Sequence, residues 1–519
     1  MNASGARIMS VDRTMIDALC AHLQAMSGQP VEVLETHISW ILLNGSLAYK
    51  LKKPVCLPFL DFTELESRRR YCELELRLNR RLAPVLYLDV LPICGTPESP
   101  RIDGIGEPID YAVCMRRFAS GALLSEQLAA GHLQAAQVEQ LAQRLADFHR
   151  DAPVADCDSG HGSPDQISKA ATTVLTQLGS VREVPQLRAV RDWVVEQARG
   201  LVAVWLSRRA GGAVREGHGD LHLANAVQVG VEVLAFDCIE FDPELRWIDV
   251  MCDLAFLTMD LQAHGRADLA FSALDAYLQR SGEYAGLQVL RFYEVYRALV
   301  RMMVCGLQAG SGSDSGRTQA PDYLACASRL IQGCRGGPRL MITHGLSGSG
   351  KSTLARQLLE RVGAVRVRSD VERKRLFGLD ALQRSADQDL DLYTPAATQR
   401  TFDRLASCAR DALRAGYPVI VDAAFLRRGE RRAFRALAAE LSVPYSILDC
   451  RASDAVLQER LFSRAAAGMD ASEADASVLK RQLHWQEPLD VHEQSRAITI
   501  ATDDEVDLGA LGERWLAAI

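Results

Sequence analysis

The chain changes its hydrophobic rhythm twice. In the first 120 residues apolar positions come in short alternating runs. ETHISWILLNG and SLAYKLKKPV predict a hairpin turning at Asn44-Gly45, and VLYLDVLPI and DYAVCMRRF predict further strands of the same small sheet. Between them TELESRRRYCELELRLNRRLA predicts a long helix. From residue 122 to 210 the spacing is helical, as in EQLAQRLADFHR and RDWVVEQARGLVAVWL. One strand-like run, VLAFDCIEF, follows before helices resume through residue 333. Beyond residue 338 the rhythm changes again: RLMITH, AVRVRS, PVIVDA, YSILDC and AITIA are apolar runs separated by helical stretches such as RRAFRALAAEL. Such alternation predicts a parallel sheet covered by helices on both faces.

The stretch AGSGSDSGRTQA, residues 309–320, is small and polar with no apolar period, which predicts a flexible loop. PDYLACASRLIQG behind it predicts one more amphipathic helix. The domain boundary is therefore expected at GCRGGPR, residues 333–339, giving domains 1–335 and 336–519. No fixed-period repeat is present.

Length and charge narrow the class. At 519 residues the chain exceeds one ordinary core, since a domain averages about 150 residues. A formal charge of -7 gives no general attraction to nucleic acid or anionic lipid. The most apolar runs, such as ALVRMMVCGL, carry a charge, well short of the roughly eighteen apolar residues of a membrane span. The opening MNASGARIMSVDRTMIDALC has acidic residues and no signal-peptide core, so a cytoplasmic location is expected. Thirteen cysteines with no Cys-x-x-Cys pair predict buried thiols rather than disulfides or a zinc site. The basic residues are overwhelmingly Arg; Lys stands only at 50, 52, 53, 169, 351, 374 and 480. The few retained lysines mark positions where a compact ammonium matters.

One of them closes the most specific motif in the chain. GLSGSGKST runs Gly345, Leu346, Ser347, Gly348, Ser349, Gly350, Lys351, Ser352, Thr353, directly after an apolar strand and before the helical TLARQLLERV. This is a P-loop in its proper setting: glycines turn backbone amides toward phosphate oxygens, and the helix start adds its positive dipole end. Lys351 is expected on the β and γ phosphates of ATP and the Ser352 hydroxyl on Mg²⁺. Asp422 ends the strand PVIVD in the position of a second metal-side carboxylate. Ala423 follows it, where motor ATPases carry a water-activating Glu. Asp370, after the strand AVRVRS, is the candidate base toward an acceptor hydroxyl and equally a candidate N-cap for a helix starting at Val371. Arg460 and Arg464 are four apart, hence on one helix face, where they can meet phosphate or solvent. This part of the chain resembles small P-loop kinases of the polynucleotide-kinase, zeta-toxin and gluconate-kinase type, a resemblance that implies these roles for Asp370 and the two arginines.

A second constellation lies earlier. In GHGDLHLAN, His218, Asp220 and Asn225 keep the H-x-D-x-x-x-x-N spacing of a kinase catalytic loop, and Asp237 in VLAFDCIEF stands where such enzymes keep a metal-binding aspartate. Asp220 is the expected base, Asn225 and Asp237 the metal ligands, and His218 and His222 braces of the loop. Glu240 could contact metal or acceptor but reads first as a strand-end surface carboxylate. SLAYKLKKP offers Lys50, with Lys52 as rival, for the phosphates. Glu75 is the preferred ion-pair partner and Glu73 the alternative. The stretch closely resembles the aminoglycoside-phosphotransferase-like superfamily, which implies an adenine-binding hinge centred on Cys114 to Arg116. Asp249 and Asp253 match a position that the same resemblance implies to brace the catalytic loop or cap the next helix. It departs from protein kinases in having only Asn44-Gly45-Ser46 before the lysine strand.

Together the resemblances span nearly the whole chain. The segments ETHISW, AYKLKKPV, FDCIEF and ITHGLSGSGKST are similar to those of a bacterial group of fused aminoglycoside-phosphotransferase-like and ATP-binding proteins. The implied fold is an α+β, protein-kinase-like, two-lobed domain followed by an α/β P-loop domain. The implied function is a tandem Mg²⁺- and ATP-dependent kinase acting on a small-molecule hydroxyl. A nucleotide sensor, in which one domain gates the other, is the alternative, and a nucleic-acid end kinase a third reading that the net negative charge disfavours. The acceptor and the oligomeric state are not written in the sequence.

Overall fold

A computed structural model describes residues 13–57, 60–181, 184–310, 321–385, 392, 394–467 and 470–518. The chain divides into two compact units. One takes the residues up to Leu133 with Phe148–Gln166 and Arg208–Asp253; the other takes Gln134–Asp147, Ile167–Ser207 and everything from Leu254 onward.

The first unit is built on strands β1 (Val31–Glu35), β2 (Ser39–Asn44), β3 (Leu47–Lys52), β6 (Tyr87–Thr96), β7 (Ser99–Ile102) and β8 (Pro108–Arg116); the short pair β4 (Cys56–Leu57) and β5 (Leu60–Asp61) stands apart. The six form an antiparallel sheet in the order β1-β2-β3-β8-β6-β7. The expected hairpin is β2 and β3, with Asn44 opposite Leu47 and Gly45 at φ 57°, the left-handed turn conformation glycine tolerates best. In β3 the period of two decides the site. Tyr49 and Leu51 join a core with Ile16, Leu19, Trp40 and Ile93, so Lys50 and Lys52 face the other way. On that other face Cys72 of helix Leu65–Asn79 packs in a second core with Leu86, Tyr87, Val113, Val227 and Leu234. Two further ribbons complete the unit: β9 (Val214–Glu216) with β12 (Trp247–Asp249), and β10 (Ala226–Val229) with β11 (Glu232–Ala235). The two strands of the first ribbon are too short to show a period.

In the second unit the alternating region forms a five-stranded sheet of β13 (Leu340–His344), β14 (Val365–Arg368), β15 (Val419–Asp422), β16 (Tyr445–Arg451) and β17 (Ala497–Ala501), all pairs parallel, in the order β14-β15-β13-β16-β17. The inner strands β13, β15 and β16 are buried along nearly their whole length because both faces are covered, while β14 alternates Val with Arg and β17 keeps exposed positions. Met341, Ile420, Leu448 and Ile498 pack against Leu354, Leu358 and Leu359 of helix Lys351–Val362 and Leu511 and Trp515 of the last helix. Phe402, Phe425 and Phe434 form a ring cluster with centroids 5.0 to 6.3 Å apart. The helices after residue 122 occur as expected, including Pro185–Gly200, Leu287–Gly310 and Tyr323–Leu330, with Trp205 edge-on to Phe292 at 5.0 Å.

The helix expected from Val371 instead begins at Ser369, so Asp370 lies within its first turn and is not its N-cap. Of the stretch 309–320, residues 311–320 lie outside the described residues, and 309 and 310 end a helix. All thirteen cysteines are free and most are buried, although Cys56 and Cys157 are exposed. Among the described residues no helix is long and apolar enough to cross a membrane.

Leu358 is fully buried at the centre of the helix-to-sheet core. Leu358→Ala is expected to cost the P-loop domain about 2–5 kcal/mol, measured as a lowered urea midpoint for that domain's unfolding.

Candidate functional site

The first unit gathers its polar residues around one buried carboxylate. Glu75 has no exposed surface; Lys50 and Lys52 each donate to it at 2.8 Å, one per oxygen. Lys50 also reaches Asp237 at 2.5 Å, and Lys52 is ion-paired with Glu240. Burial works against the Glu75 charge, but the two ammonium groups outweigh it and hold its pKa down to about 2. For Glu240 the balance goes the other way: burial, aided by the neighbouring Glu75 charge, raises its pKa. The rivalry between the two lysines thus resolves into a division, with Lys50 turned to the aspartate and Lys52 to the glutamate. Glu73 is on the outer face, paired with Arg69 at 3.0 Å. Glu240 is not the surface carboxylate its position suggested; it is 4% exposed, because Lys52 needs a second counter-charge inside.

The residues of the candidate catalytic loop are held from behind. Asp253 accepts the backbone N–H groups of His218 and Gly219 at 2.6 and 2.7 Å and lies 3.2 Å from His149 Nε2. Burial opposes its charge, yet these bonds bring its pKa down to about 2. His218 braces the loop through the Phe236 carbonyl, 2.9 Å away, and through the Asp220 amide. His222 accepts from Ala224 N. Asp249 pairs with Arg208 at 2.7 and 2.8 Å and accepts from Met251 N, so it acts at the start of the next helix. Asn225 Nδ2 is committed to Asp220, at 2.9 Å to the carbonyl and 3.1 Å to Oδ2, which leaves the amide oxygen as its group for a cation.

Asp237 adopts φ 63°, a left-handed conformation that costs a non-glycine residue on the order of 1–3 kcal/mol. Its amide donates to the Tyr87 hydroxyl at 3.2 Å, and the next amide, of Cys238, donates to Asn79 Oδ1. Such strain marks a carboxylate aimed for a purpose, and the hard oxygen donors of Asp237 and Asn225 suit Mg²⁺. Cys114 to Arg116, expected as the hinge, lie inside β8, paired to both β3 and β6, with Arg116 N donating to the Leu86 carbonyl.

In the second unit the P-loop surrounds its own lysine. Lys351 Nζ donates to the Leu346 carbonyl at 2.6 Å and lies 3.3 Å from Ser349 Oγ. Burial lowers its pKa, against the opposing pull of Asp422 and Asp370. Two of the loop glycines have no room for a side chain: a Cβ on Gly345 would stand 2.4 Å from the Cys450 carbonyl, and one on Gly348 2.8 Å from that of Leu457. Gly350, at φ 78°, leads straight into helix Lys351–Val362. Ser347 N donates to Gln482 Oε1 at 2.8 Å. Ser352 Oγ donates to Asp422 Oδ1 at 3.1 Å, while Asp422 Oδ2 is buried with no hydrogen-bond partner. A hydroxyl and a half-satisfied buried carboxylate are the donor set a small divalent cation takes, so these residues fit Mg²⁺.

The surrounding cavity measures 1290 Å³ and is lined by Lys351, Ser352, Thr353, Asp370, Asp422, Arg460 and Arg464 among others. Arg460 and Arg464 do share a helix face. Arg460 ties the loop at the Gly348 carbonyl to Thr502, and Arg464 donates to the Ala474 carbonyl at 2.5 Å. The contributions of Tyr87, His149 and Gln482 have no motif around them, and only the three-dimensional contact reveals them.

A family model described as an AAA domain, AAA_33, matches residues 340–489. Rv2004c of Mycobacterium tuberculosis, described as an uncharacterized protein, is 31% identical over 495 residues, covering 94% of this chain and 96% of its own. Among solved structures, the chain is similar to a choline/ethanolamine kinase family protein from Mesorhizobium loti, at 15% identity and TM-score 0.37 over 61% of this chain and 92% of that one. It is also similar to a gluconokinase from Sinorhizobium meliloti 1021, at 22% identity and TM-score 0.25 over 35% and 90%. The fold class agrees with the α+β and α/β order that the sequence implies: a part built on an antiparallel sheet followed by a P-loop domain on a parallel sheet.

The depressed pKa of Asp253 makes its contribution to stability acid-sensitive. It is fully present above the ordinary carboxylate range and is lost as pH falls toward about 2. Asp253→Asn is expected to remove roughly 2 kcal/mol at neutral pH and to flatten the fall in urea midpoint between about pH 4 and pH 2.

Proposed function

The chain belongs to the family of the mycobacterial protein Rv2004c, and we propose that it is a tandem ATP-dependent small-molecule kinase, phosphorylating a substrate hydroxyl at one or both sites. The observation that carries this reading is a surplus. Each site has a lysine for phosphate charge and oxygen donors for a cation, and beyond these a further carboxylate, Asp220 in one and Asp370 in the other. A module that only senses nucleotide has no use for it.

In the P-loop site Lys351 neutralises phosphate charge, and Ser352 and Asp422 hold Mg²⁺. A Mg²⁺ held there would supply Lewis-acid stabilisation of the phosphate charge. Asp370 orients the acceptor hydroxyl and takes its proton as the oxygen bonds to the γ-phosphorus, leaving ADP. Arg460 and Arg464, which line the cavity, would meet the phosphate being transferred. A cavity of 1290 Å³ exceeds the roughly 300–1,000 Å³ of a single-ligand pocket, which leaves space for nucleotide and acceptor together. In the other site Asp220 is the base, Asn225 and Asp237 hold the metal, and Lys50, fixed by Glu75, meets the phosphates. Lys52 acts behind it, holding Glu75 and Glu240.

The test is ATP consumption against a panel of hydroxyl-bearing metabolites, with one site disabled at a time. Asp220→Ala is expected to slow turnover at the first site by about 100-fold or more, and Lys351→Ala to do the same at the second. Full activity in both variants overturns the site assignment.

A further inference from the structure

Two guanidinium groups flank the metal-side carboxylate of the P-loop domain without closing on it. Arg366 Nη1 stands 3.8 Å and Arg368 Nε 3.9 Å from Asp422 Oδ2, the oxygen that has no hydrogen-bond partner. Both arginines come from β14, beside β15; each is a long ion pair with Asp422, and a shift of about 1 Å would turn either into a hydrogen-bonded one. Each is held back by a different carboxylate. Asp275, on helix Ala267–Ser281, grips Arg366 on two sides, at 2.7 Å to Nη2 and 3.3 Å to Nε. Asp470 holds Arg368 Nη2 at 2.6 Å.

The Arg366 hold is tight. Its side chain is 6% exposed, Nη1 donates to the Ser352 carbonyl at 3.2 Å, and its own carbonyl accepts from the buried Tyr284 hydroxyl at 3.2 Å. In a dry setting a cation this close to a carboxylate competes directly with a metal for the same oxygen. Without the two restraining carboxylates, Asp422 would be neutralised by the protein's own arginines.

We propose that Asp275 and Asp470 are positioning residues for the P-loop site, withholding Arg366 and Arg368 from Asp422 so that its second oxygen stays open to a divalent cation. The inference rests on the reading of Ser352 and Asp422 as the metal pair. It makes the cation affinity of the P-loop depend on helix Ala267–Ser281, which precedes the P-loop in sequence by some seventy residues.

The experiment is calorimetric titration of the full chain with ADP over a range of Mg²⁺ concentrations. Asp275→Asn is expected to raise the Mg²⁺ concentration for half-maximal ADP affinity about tenfold, with metal-free ADP affinity unchanged and excess Mg²⁺ restoring the wild-type value. Asp275→Leu with Arg366→Met removes both the restraint and the competitor and is expected to return Mg²⁺ dependence close to wild type. A role in packing alone would leave the double variant at least as impaired as the single one. Asp470→Asn, at a partly exposed position, gives the same readout through Arg368 should the buried change prevent folding. Wild-type Mg²⁺ dependence in Asp275→Asn, or in Asp470→Asn where the former does not fold, overturns the restraint, as does a double variant no better than the single. ADP binding that ignores Mg²⁺ in the unaltered chain, and is unchanged by Ser352→Ala, overturns the metal-pair reading itself.

Discussion

A carboxylate sealed from water stays charged only if cations are sealed in with it, and around Glu75 that constraint organises the first unit. Two lysines on one face of β3 reach it, and each carries a second carboxylate, so five charged groups are interlocked, with Asp237 the one that is half-exposed. Removing one partner strands the others, at a cost of about 3–5 kcal/mol for a broken buried pair. The arrangement secures Lys50, the group turned toward Asp237, by a partner that is itself immobilised. Helix Leu65–Asn79, β3 and the loop at Asp237 cannot drift apart without exposing that charge to an apolar surround.

The second unit meets the same constraint with arginine. Asp422 is 3% exposed at the end of a strand buried on both faces, and the cations nearest to it are already committed elsewhere. In the first unit buried charge is balanced within the protein. In the second the nearby arginines stop at ion-pair distance, and one carboxylate oxygen keeps no hydrogen bond.

The legible part of the chain was the part whose physics is local. The P-loop needs glycines, a lysine and a hydroxyl within nine residues, flanked by a strand and a helix, and all of that is written consecutively. The H-x-D-x-x-x-x-N loop likewise packs His218, Asp220 and Asn225 into eight residues. The pairing of β2 with β3, and the sides taken by Tyr49 and Lys50, follow from a period of two.

What escaped is non-local. Glu240 looked superficial because nothing near it in sequence says that Lys52, 188 residues earlier, needs a counter-charge. The helix holding Asp370 starts two residues early, a margin that capping rules do not resolve when Arg368 supplies no side-chain cap. Arg366 reads as one more residue of a strand, and its partner Asp275 as one more on a helix. Their meaning arises only when the strand and the helix meet.

The interleaving of the two units along the chain carries a consequence for synthesis. The first unit has all its segments once residue 253 has been made, whereas segments 134–147 and 167–207 belong to a unit finished only near the carboxy terminus. Trp205, fully buried in the finished protein, rests on Phe292. At about 5–20 residues per second, the ribosome leaves that indole waiting roughly 4–17 s for its partner. For that interval the helix carrying Trp205 lacks the aromatic partner it has in the finished protein.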